Sequence, residues 1–394
     1  MKDETLITTA GRHPEDNFGI VNPPVYHAST VLFPSLEAAE NPYLSKVTYG
    51  RAGTPGTFAL EEAMSALEGA AATFIVPSGL AACTEAILAC VSAGDHILVT
   101  DSVYEPTRIF CERFLRRFNV ETTYYDPLIG AGITSLIRPN TKVVFTEAPG
   151  SRTFEMQDIP AIAQAAHAAG EIYVLMDNTW ATPLYFKPLA HGVDLSIQAA
   201  TKYIVGHSDA MLGTIAANER TVDRLRQTHR QIGMCAGPDD IYLALRGMRT
   251  LATRLKQHGE TGVELATWLK ARPEVDRVLH PGIYGDPGHE IWARDFKGCS
   301  GLFGFVLKPC TKEQLKAFIE PMEHFKIGYS WGGYESLITS GDPSRARSAT
   351  KWIGPGPLVR VHAGLEHVDD LRADFVRAFE RFHSASSASS MSSR

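Results

Sequence analysis

The sequence predicts an α/β fold in which a mostly parallel central sheet carries helices on both faces, followed by a smaller α+β domain. Three observations lead to this prediction. Apolar runs alternate with amphipathic runs between about residues 57 and 202, polar side chains follow the apolar runs, and the pattern changes near Thr250. We therefore expect an N-terminal arm over residues 1–53, a large domain over 54–249 and a small domain over 250–394.

The N-terminal 53 residues show little hydrophobic periodicity and contain five prolines. A segment of this length without a core of its own must pack against other parts of the protein. We therefore predict that residues 1–53 form an arm that lies on a neighbouring subunit.

The first helices of the large domain are predicted from apolar side chains at helical spacing and from their end signals. Leu60, Met64 and Leu67 share one face of a helix that ends at Gly69. A turn at residues 77–79 opens the next helix, in which several side chains are again apolar.

The remaining elements of this domain complete the alternating order. Asp158 is expected to cap a helix that runs to Gly170. Residues 106–118 are expected to form a helix with Ile109 and Phe114 facing inward and the basic side chains facing outward. Apolar runs predict buried strands over residues 73–76, 96–100, 143–147, 173–177 and 195–199.

The small domain begins with a long helical stretch from about Thr250. Apolar runs over residues 301–307 and 358–362 predict two strands, and their mixture with helices indicates an α+β domain. The last residues, 384–394, are mostly Ser and Ala, and we expect them to form a disordered tail.

With 44% hydrophobic and 21% charged residues, the chain has the composition of an ordinary globular protein. The net charge of −6 gives no indication of nucleic-acid binding, and no apolar stretch approaches the ~20 residues of a membrane span. The N-terminus lacks the apolar core of a signal peptide, and the six cysteines are scattered without a C-x-x-C spacing. We therefore predict a cytoplasmic protein with neither a disulfide framework nor a metal site.

Polar side chains stand at the ends of the predicted strands. They are Ser78, Asp101, Glu147, Asp177 and Lys202. Ligands of parallel sheets bind at the carboxyl ends of the strands. The sequence therefore predicts a ligand site at this edge of the sheet.

Lys202 and Asp177 form the most informative pair among these residues. Lysine is almost never buried unless it is paired or has reacted, yet Lys202 lies just after the end of a predicted apolar strand. A lysine that holds an aldehyde as a Schiff base and an aspartate that holds a pyridinium proton are what pyridoxal phosphate (PLP) requires. Each residue alone also has an ordinary interpretation, Asp177 as a turn or cap residue and Lys202 as a surface charge.

Other residues have the chemistry of a phosphate or ring contact. Ser78 and Gly79 lie where a strand turns into a helix, and the first N–H groups of a helix bind phosphate well. Tyr49 and Arg51 supply a hydroxyl and a guanidinium suited to a dianion, and the flat side chain of Tyr104 can stack on a pyridine ring. The ordinary alternatives are a helix cap, a surface arginine and an aromatic side chain at a rim.

These residues stand within motifs that cover nearly the whole chain. The motifs are, in order, Tyr49-x-Arg51, Ser78-Gly79-Leu80-Ala81-Ala82, Asp101-x-x-Tyr104, Asp177-Asn178-Thr179, Ala200-Thr201-Lys202-Tyr203 and Arg360-Val361-His362-Ala363-Gly364-Leu365-Glu366. Together they resemble the Cys/Met-metabolism branch of fold-type I PLP enzymes. The resemblance implies the fold of PLP-dependent transferases, PLP as the cofactor, an amino acid as the substrate, and a homotetramer built from two active-site dimers.

The resemblance also implies a role for each matching residue near the cofactor ring. Lys202 would bind the cofactor covalently and then move a proton, and Asp177 would keep the ring nitrogen protonated. Tyr104 would stack on the ring and help the lysine to lose its proton.

Further residues are implied to bind the phosphate and the substrate. The phosphate ligands would be Ser78, Gly79, Leu80 and Thr201, joined by Tyr49 and Arg51 from the neighbouring subunit. The α-carboxylate of the substrate would be bound by Arg360 and Ser330. The walls of the pocket would be formed by Trp331, Tyr242 and Tyr329.

Three features resemble the cystathionine β-lyase group within this branch. They are the loop Glu147-Ala148-Pro149-Gly150-Ser151, the segment Ser330-Trp331-Gly332-Gly333, and His362 in the last motif. The implied reaction is α,β-elimination of L-cystathionine to homocysteine, pyruvate and ammonia. Two residues depart from the usual pattern: Ala199 replaces a common Ser, which removes one phosphate hydroxyl, and Leu80 replaces a Met.

Two alternatives remain open from the sequence alone. A γ-lyase or γ-synthase of the same family, or a lyase for another β- or γ-substituted amino acid, would use the same cofactor residues. A non-catalytic α/β binding protein would leave Lys202 and Asp177 as unrelated charges, and the absence of a yellow cofactor band would identify it.

Overall fold

A computed structural model describes residues 1–41 and 45–391 of the chain. Its larger sheet has seven strands in the order β1-β7-β6-β5-β4-β2-β3. The strands are β1 Ala72–Val76, β2 His96–Thr100, β3 Glu121–Tyr125, β4 Thr141–Glu147, β5 Tyr173–Asp177, β6 Leu195–Gln198 and β7 Gly213–Ala217. Only β7 runs antiparallel to its neighbours, so the predicted α/β fold with a mostly parallel sheet is confirmed.

The helices of the described residues surround this sheet and extend into the C-terminal half. They are α1 Asp3–Thr9, α2 Leu36–Glu40, α3 Pro55–Glu68, α4 Gly79–Cys90, α5 Glu105–Ile109, α6 Ile159–Ala169, α7 Thr182–Tyr185, α8 Val222–Ile232, α9 Pro238–Arg249, α10 Leu251–Lys270, α11 His289–Asp295, α12 Lys312–Ile319 and α13 Val368–Met391. The predicted ends at Gly69 and Asp158 are confirmed, since Gly69 adopts a left-handed cap and Asp158 accepts from Ala161 N–H.

The central strands are buried on both faces. Along β4, Val143 and Phe145 pack into an apolar cluster with α4, while Val144 packs into a second cluster with α6. This double burial explains why the strands appear in the sequence as continuous apolar runs rather than alternating ones. It also leaves the carboxyl ends of β4, β5 and β6 at a single edge of the sheet.

A second sheet of five strands forms in the C-terminal half, in the order β10-β11-β12-β9-β8. Its strands are β8 Val275–Leu279, β9 Leu302–Leu307, β10 Lys326–Ile327, β11 Leu337–Gly341 and β12 Leu358–His362. The α10 and α13 helices pack on one face of it through Leu265, Leu269 and Phe375. The predicted smaller α+β unit is therefore present, while the exact boundaries at residues 53 and 249 stay a prediction.

Two strands of the large sheet were not predicted. β3 lies at the edge of the sheet and has the polar sequence Glu-Thr-Thr-Tyr-Tyr, so it lacks the apolar run that marks a buried strand. β7 reads Gly-Thr-Ile-Ala-Ala and is buried, but its side chains are small. Neither pattern carries enough hydrophobic signal to indicate a strand.

The prediction for residues 106–118 assigned the wrong side chains to the buried face of the helix. Ile109 and Phe114 are 41% and 38% exposed, whereas Cys111 and Leu115 are buried. The reason is a wider π turn over Phe110–Phe114, which rotates the inward face relative to a regular helix. Arg108 is also buried rather than outward, because it pairs with a buried aspartate.

The two chain ends also differ in part from the expectation. α1 packs on α3 of its own chain through the buried Ile7, so the first residues of the arm belong to this chain's core. The α13 helix continues to Met391, where disorder was expected from residue 384. Alanine favours helix and serine costs little, so a packed helix can extend through such a run. Residues 392–394 lie outside the described residues.

The described residues contain no helix that is both long enough and apolar enough to cross a membrane. All six cysteines are free, and Cys83 and Cys90 are buried in α4. Contact of the arm with another subunit stays a prediction.

Candidate active site

The ends of β4, β5 and β6 bring the predicted lysine and aspartate to one edge of the sheet. Glu147 and Asp177 are paired in register at the ends of β4 and β5. Lys202 lies in the turn that follows β6, where its N–H donates to Ala199 O at 2.9 Å and its C=O accepts from Gly206 N–H at 2.8 Å. The turn thus fixes the lysine backbone beside the two carboxyl groups.

The Lys202 side chain lies between polar and aromatic partners. Its Nζ donates to Ser330 Oγ at 2.6 Å and lies 5.3 Å from the ring centroid of Trp331. Burial lowers the pKa of Lys202 to about 8, the charge of Arg360 acts in the same direction, and Asp177 opposes them. A substantial fraction of this amine is therefore neutral near neutral pH, as a nucleophile and proton acceptor requires.

Asp177 and Glu147 are two partly buried carboxyl groups that share a site. Asp177 Oδ1 accepts from Thr179 N–H at 3.0 Å and from Thr179 Oγ1 at 2.5 Å, and Oδ2 lies 3.7 Å from Cys83 Sγ. Burial raises the pKa of both carboxyls, and the charge of Asp177 raises that of Glu147 further. Asp177 also faces the charge of Lys202, so we assign the negative charge to Asp177 and the proton to Glu147.

Tyr104 lies in the segment that follows β2 and contacts Glu147 through its backbone N–H. Its N–H donates to Glu147 Oε2 at 2.7 Å, and its side chain is 42% exposed, which leaves a ring face open. Burial, with the charges of Cys83 and Asp177, raises the pKa of Tyr104. A raised pKa keeps this phenol protonated at neutral pH, and both predicted roles of Tyr104, stacking on the ring and helping Lys202 to lose its proton, stay predictions.

The turn between β1 and α4 is suited to bind a phosphate group. A side chain on Gly79 would overlap Ala199, whose Cα lies 2.9 Å from the position of such a Cβ, so only glycine fits here. Ser78 Oγ caps α4 by accepting from Ala81 N–H at 3.1 Å, which leaves its hydroxyl proton free to donate. The exposed Leu80 lies in the first turn, where N–H groups lack helix partners.

The side chain of Thr201 forms hydrogen bonds with the backbone that the sequence did not reveal. Its Oγ1 donates to Leu212 O at 3.1 Å and accepts from Leu212 N–H at 2.8 Å, which ties the turn after β6 to the start of β7. A hydroxyl has one proton to donate. Thr201 must therefore release Leu212 O before it can donate to a phosphate.

Arg360 provides the cation at the open side of the site. Its Nη2 donates to Ser330 O at 3.2 Å, and burial and the nearby Arg152 lower its pKa to about 10, which still leaves it charged at neutral pH. Trp331 packs against Tyr203 at 5.4 Å between ring centroids. The Ser330 hydroxyl and the Trp331 indole thus lie at the Lys202 amine, and Arg360 joins them through Ser330 O. Their roles in substrate binding stay predictions.

Asp101 is a buried residue that binds a distant loop, a role that the sequence did not reveal. It pairs with Arg108 at 2.5 Å and accepts from the N–H groups of Ser348, Ala349 and Thr350. Burial alone would raise its pKa, but these hydrogen bonds lower it. Asp101 thereby ties the loop after β11 to the rim of the large sheet, and its position after β2 was the only signal in the sequence.

Three predicted residues, Tyr49, Arg51 and Tyr242, form no contact with Lys202 among the described residues of the single chain. Tyr49 and Arg51 are exposed in the arm, and among the described residues their side chains form no hydrogen bond. Tyr242 faces Pro23 and Tyr26 of the arm, because the buried face of α9 packs on α3. The predicted place of Tyr242 in the pocket wall is therefore not seen within one chain.

Tyr329 directly precedes Ser330 and is 91% exposed in the single chain. Its predicted place in the pocket wall stays a prediction. Ser330 has φ +75°, and this left-handed turn separates the exposed Tyr329 from the packed Trp331. Of the three aromatic side chains predicted to form the pocket walls, Trp331 is the one seen in contact with the Lys202 amine among the described residues.

The residues present fit PLP. A helix N-terminus with a required glycine suits a phosphate, a partly buried carboxylate suits a protonated ring nitrogen, and a lysine of lowered pKa suits an aldehyde. Lys202, Asp177, Tyr104, Ser78 and Gly79 would hold it. Among the described residues, no group of three or more His, Cys, Asp or Glu side chains is arranged to bind a metal ion.

Comparison with known proteins agrees with this geometry. Residues 4–380 match the family of Cys/Met metabolism PLP-dependent enzymes. A protein of Rhizobium johnstonii is 53% identical over 379 residues, 95% of each chain, and the cystathionine beta-lyase of Salmonella typhimurium is 46% identical over 96% of this chain and 98% of its own. The solved structure of metB from Corynebacterium glutamicum has a TM-score of 0.89 and 29% identity, covering 97% of this chain and 99% of that one.

Proposed function

The chain belongs to the Cys/Met metabolism PLP-dependent enzymes, and from this premise we propose that it is a carbon–sulfur β-lyase that cleaves L-cystathionine to homocysteine, pyruvate and ammonia. PLP is its cofactor. The main support for this proposal is the environment of the Lys202 amine, which has a lowered pKa, contacts Ser330 and Trp331, and faces the charge of Asp177. The 46% identity to a cystathionine beta-lyase supports the choice of substrate.

Each part of the site then has a task. When bound, PLP withdraws the electrons that are released at the Cα of the substrate. Arg360 binds the α-carboxylate, Lys202 takes the Cα proton, and Asp177 keeps negative charge beside the ring nitrogen. Trp331 limits the space for the side chain, and Ser330 orients the Lys202 amine through the hydrogen bond at 2.6 Å.

The products test the function directly. We expect purified enzyme with L-cystathionine to release pyruvate and homocysteine, with little 2-oxobutyrate or cysteine, because Tyr329 offers no carboxylate to remove a Cβ proton and Trp331 restricts the site. Chromatography of the derivatised keto acids measures this. L-Methionine, which has only a γ leaving group, is the matched control and should give no keto acid. Dominant 2-oxobutyrate would establish the γ-lyase alternative instead.

We also propose that the protein is a cytoplasmic homotetramer made of two active-site dimers. In this arrangement Tyr49 and Arg51 would bind the phosphate in the neighbouring subunit. The proposal explains why a hydroxyl and a guanidinium, both suited to bind phosphate, are exposed and form no hydrogen bond among the described residues. Tyr242, packed against the same arm, would approach that site as well.

Mixing of two inactive variants tests the shared site. Arg51→Ala and Lys202→Ala subunits are each expected to be inactive, but random dimers should recover about a quarter of wild-type activity, since half are hybrids with one intact site of two. Activity after subunit exchange is the measurement, and exchange is verified by native mass spectrometry of differently tagged subunits. No recovery after verified exchange would place both residues in the site of one chain.

A further inference from the structure

The Ser330–Gly333 segment contacts Lys202 along its backbone as well as through its side chain. A Cβ on Gly332 would lie 2.9 Å from both Cα and C of Lys202, so the two backbones touch at that point. Ser330 has φ +75°, a left-handed conformation that a residue other than glycine rarely adopts. Such a segment keeps its shape only where surrounding groups hold it.

One strand holds the segment at both ends. Arg360 and His362 stand two residues apart on β12 and therefore face the same side of the sheet. Arg360 donates to Ser330 O, and His362 Nε2 lies 3.1 Å from Gly332 N and 3.0 Å from Gly333 O. Nε2 accepts from Gly332 N–H in one tautomer and donates to Gly333 O in the other.

The His362 ring is itself fixed by buried aromatic neighbours. Its centroid lies 5.1 Å from that of His258 and 5.9 Å from that of Tyr203, and His258 is anchored to Ala363 O at 2.8 Å. Burial lowers the pKa of His362 to about 3, and His258 and Arg360 act in the same direction. The ring is thus neutral in the working range and acts by position rather than by proton transfer.

We propose that His362 is a positioning residue that holds the Ser330–Gly333 segment against Lys202 and so fixes Arg360 and Trp331 around the substrate. The segment joins three parts of the site: Ser330 Oγ meets Lys202, Ser330 O meets Arg360, and Trp331 packs on Tyr203. Loss of the His362 contacts releases the Gly332–Gly333 end of the segment, so that Ser330 and Trp331 before it are held less firmly. The kinetic part of this inference rests on the proposed function.

Three variants of the whole holoenzyme test the proposal. His362→Leu removes the hydrogen-bonding nitrogen, and His362→Gln supplies an amide that both accepts and donates. His280→Leu is the matched control: His280 is equally buried and bonds Gly282 N–H, but it packs on Trp180 and Phe303.

Hydrogen exchange followed by mass spectrometry gives a readout that needs no substrate. We expect amides of residues 328–336 to exchange about tenfold faster in His362→Leu, the equivalent of about one lost hydrogen bond. His362→Gln should exchange within about threefold of wild type, and His280→Leu should leave this segment unchanged. Equal exchange in His362→Leu and wild type would overturn the proposal, as would an equal increase in His280→Leu.

Steady-state kinetics tests the consequence for the substrate. His362→Leu should raise KM for L-cystathionine about tenfold with a smaller fall in kcat, because Ser330 O, the hydrogen-bond partner of the carboxylate-binding guanidinium, is then held less firmly. An unchanged KM despite faster exchange would overturn this consequence. A wild-type enzyme that makes no pyruvate from L-cystathionine would instead refute the proposed function, and the exchange data would still decide the role of His362.

Discussion

Replacing Lys202 with alanine is expected to abolish turnover, with a loss of at least about a thousandfold in kcat. The amine lies 2.6 Å from Ser330 Oγ at the edge where β5 and β6 end, and its lowered pKa suits a proton acceptor. The variant removes both the covalent bond to the cofactor and the acceptor of the Cα proton. PLP should still bind through its phosphate, because the Ser78–Gly79 turn is untouched.

The measurements are keto acid release and the visible spectrum of the purified variant. Treatment with borohydride should fix the mass of PLP on the wild-type chain and leave the variant without it. Lys187→Ala is the matched control, since Lys187 is a partly buried lysine that pairs with Asp3 at 2.8 Å, away from the site. A turnover or a spectrum like that of wild type in Lys202→Ala would show that the lysine has been assigned wrongly.

The sequence could predict those parts of the site that depend on local order along the chain. Asp177 and Lys202 follow apolar strands, and parallel strands place their carboxyl ends together. Gly79 stands where a strand turns into a helix, and the structure adds that Ala199 leaves no space for a side chain there. For these residues, hydrophobic periodicity and turn chemistry contain enough information to fix their place.

The parts that the sequence could not predict depend on contacts between distant segments. The burial of Arg108 follows from its pairing with Asp101 and from the loop at Ser348, some 240 residues away, which no periodicity reveals. The raised pKa of Glu147 follows from its burial and from the register of β4 against β5, which places its carboxyl beside Asp177. The exposure of Tyr329 follows from a left-handed turn at Ser330, a residue type for which such a turn is uncommon.

Replacing Asp177 with asparagine is expected to lower kcat at least about a hundredfold while the protein folds and binds PLP. Asparagine keeps the acceptor for both bonds from Thr179, at 3.0 Å and 2.5 Å, so the local structure should persist. What is lost is the negative charge that favours the protonated ring nitrogen. The measurements are kcat, cofactor content and the melting temperature, which should stay within a few degrees of wild type.

Glu147→Gln is the matched control for this prediction, because Glu147 is the adjacent partly buried carboxyl and differs from Asp177 chiefly in its proton. Its pKa is raised by burial and by the charge of Asp177, so an amide replaces a group that is already neutral. The glutamine oxygen can still accept from Tyr104 N–H. We expect kcat to stay within about threefold of wild type, since the lost interaction is at most one neutral hydrogen bond. Equal losses in the two variants would show that the charge is shared by the pair and does not reside on Asp177.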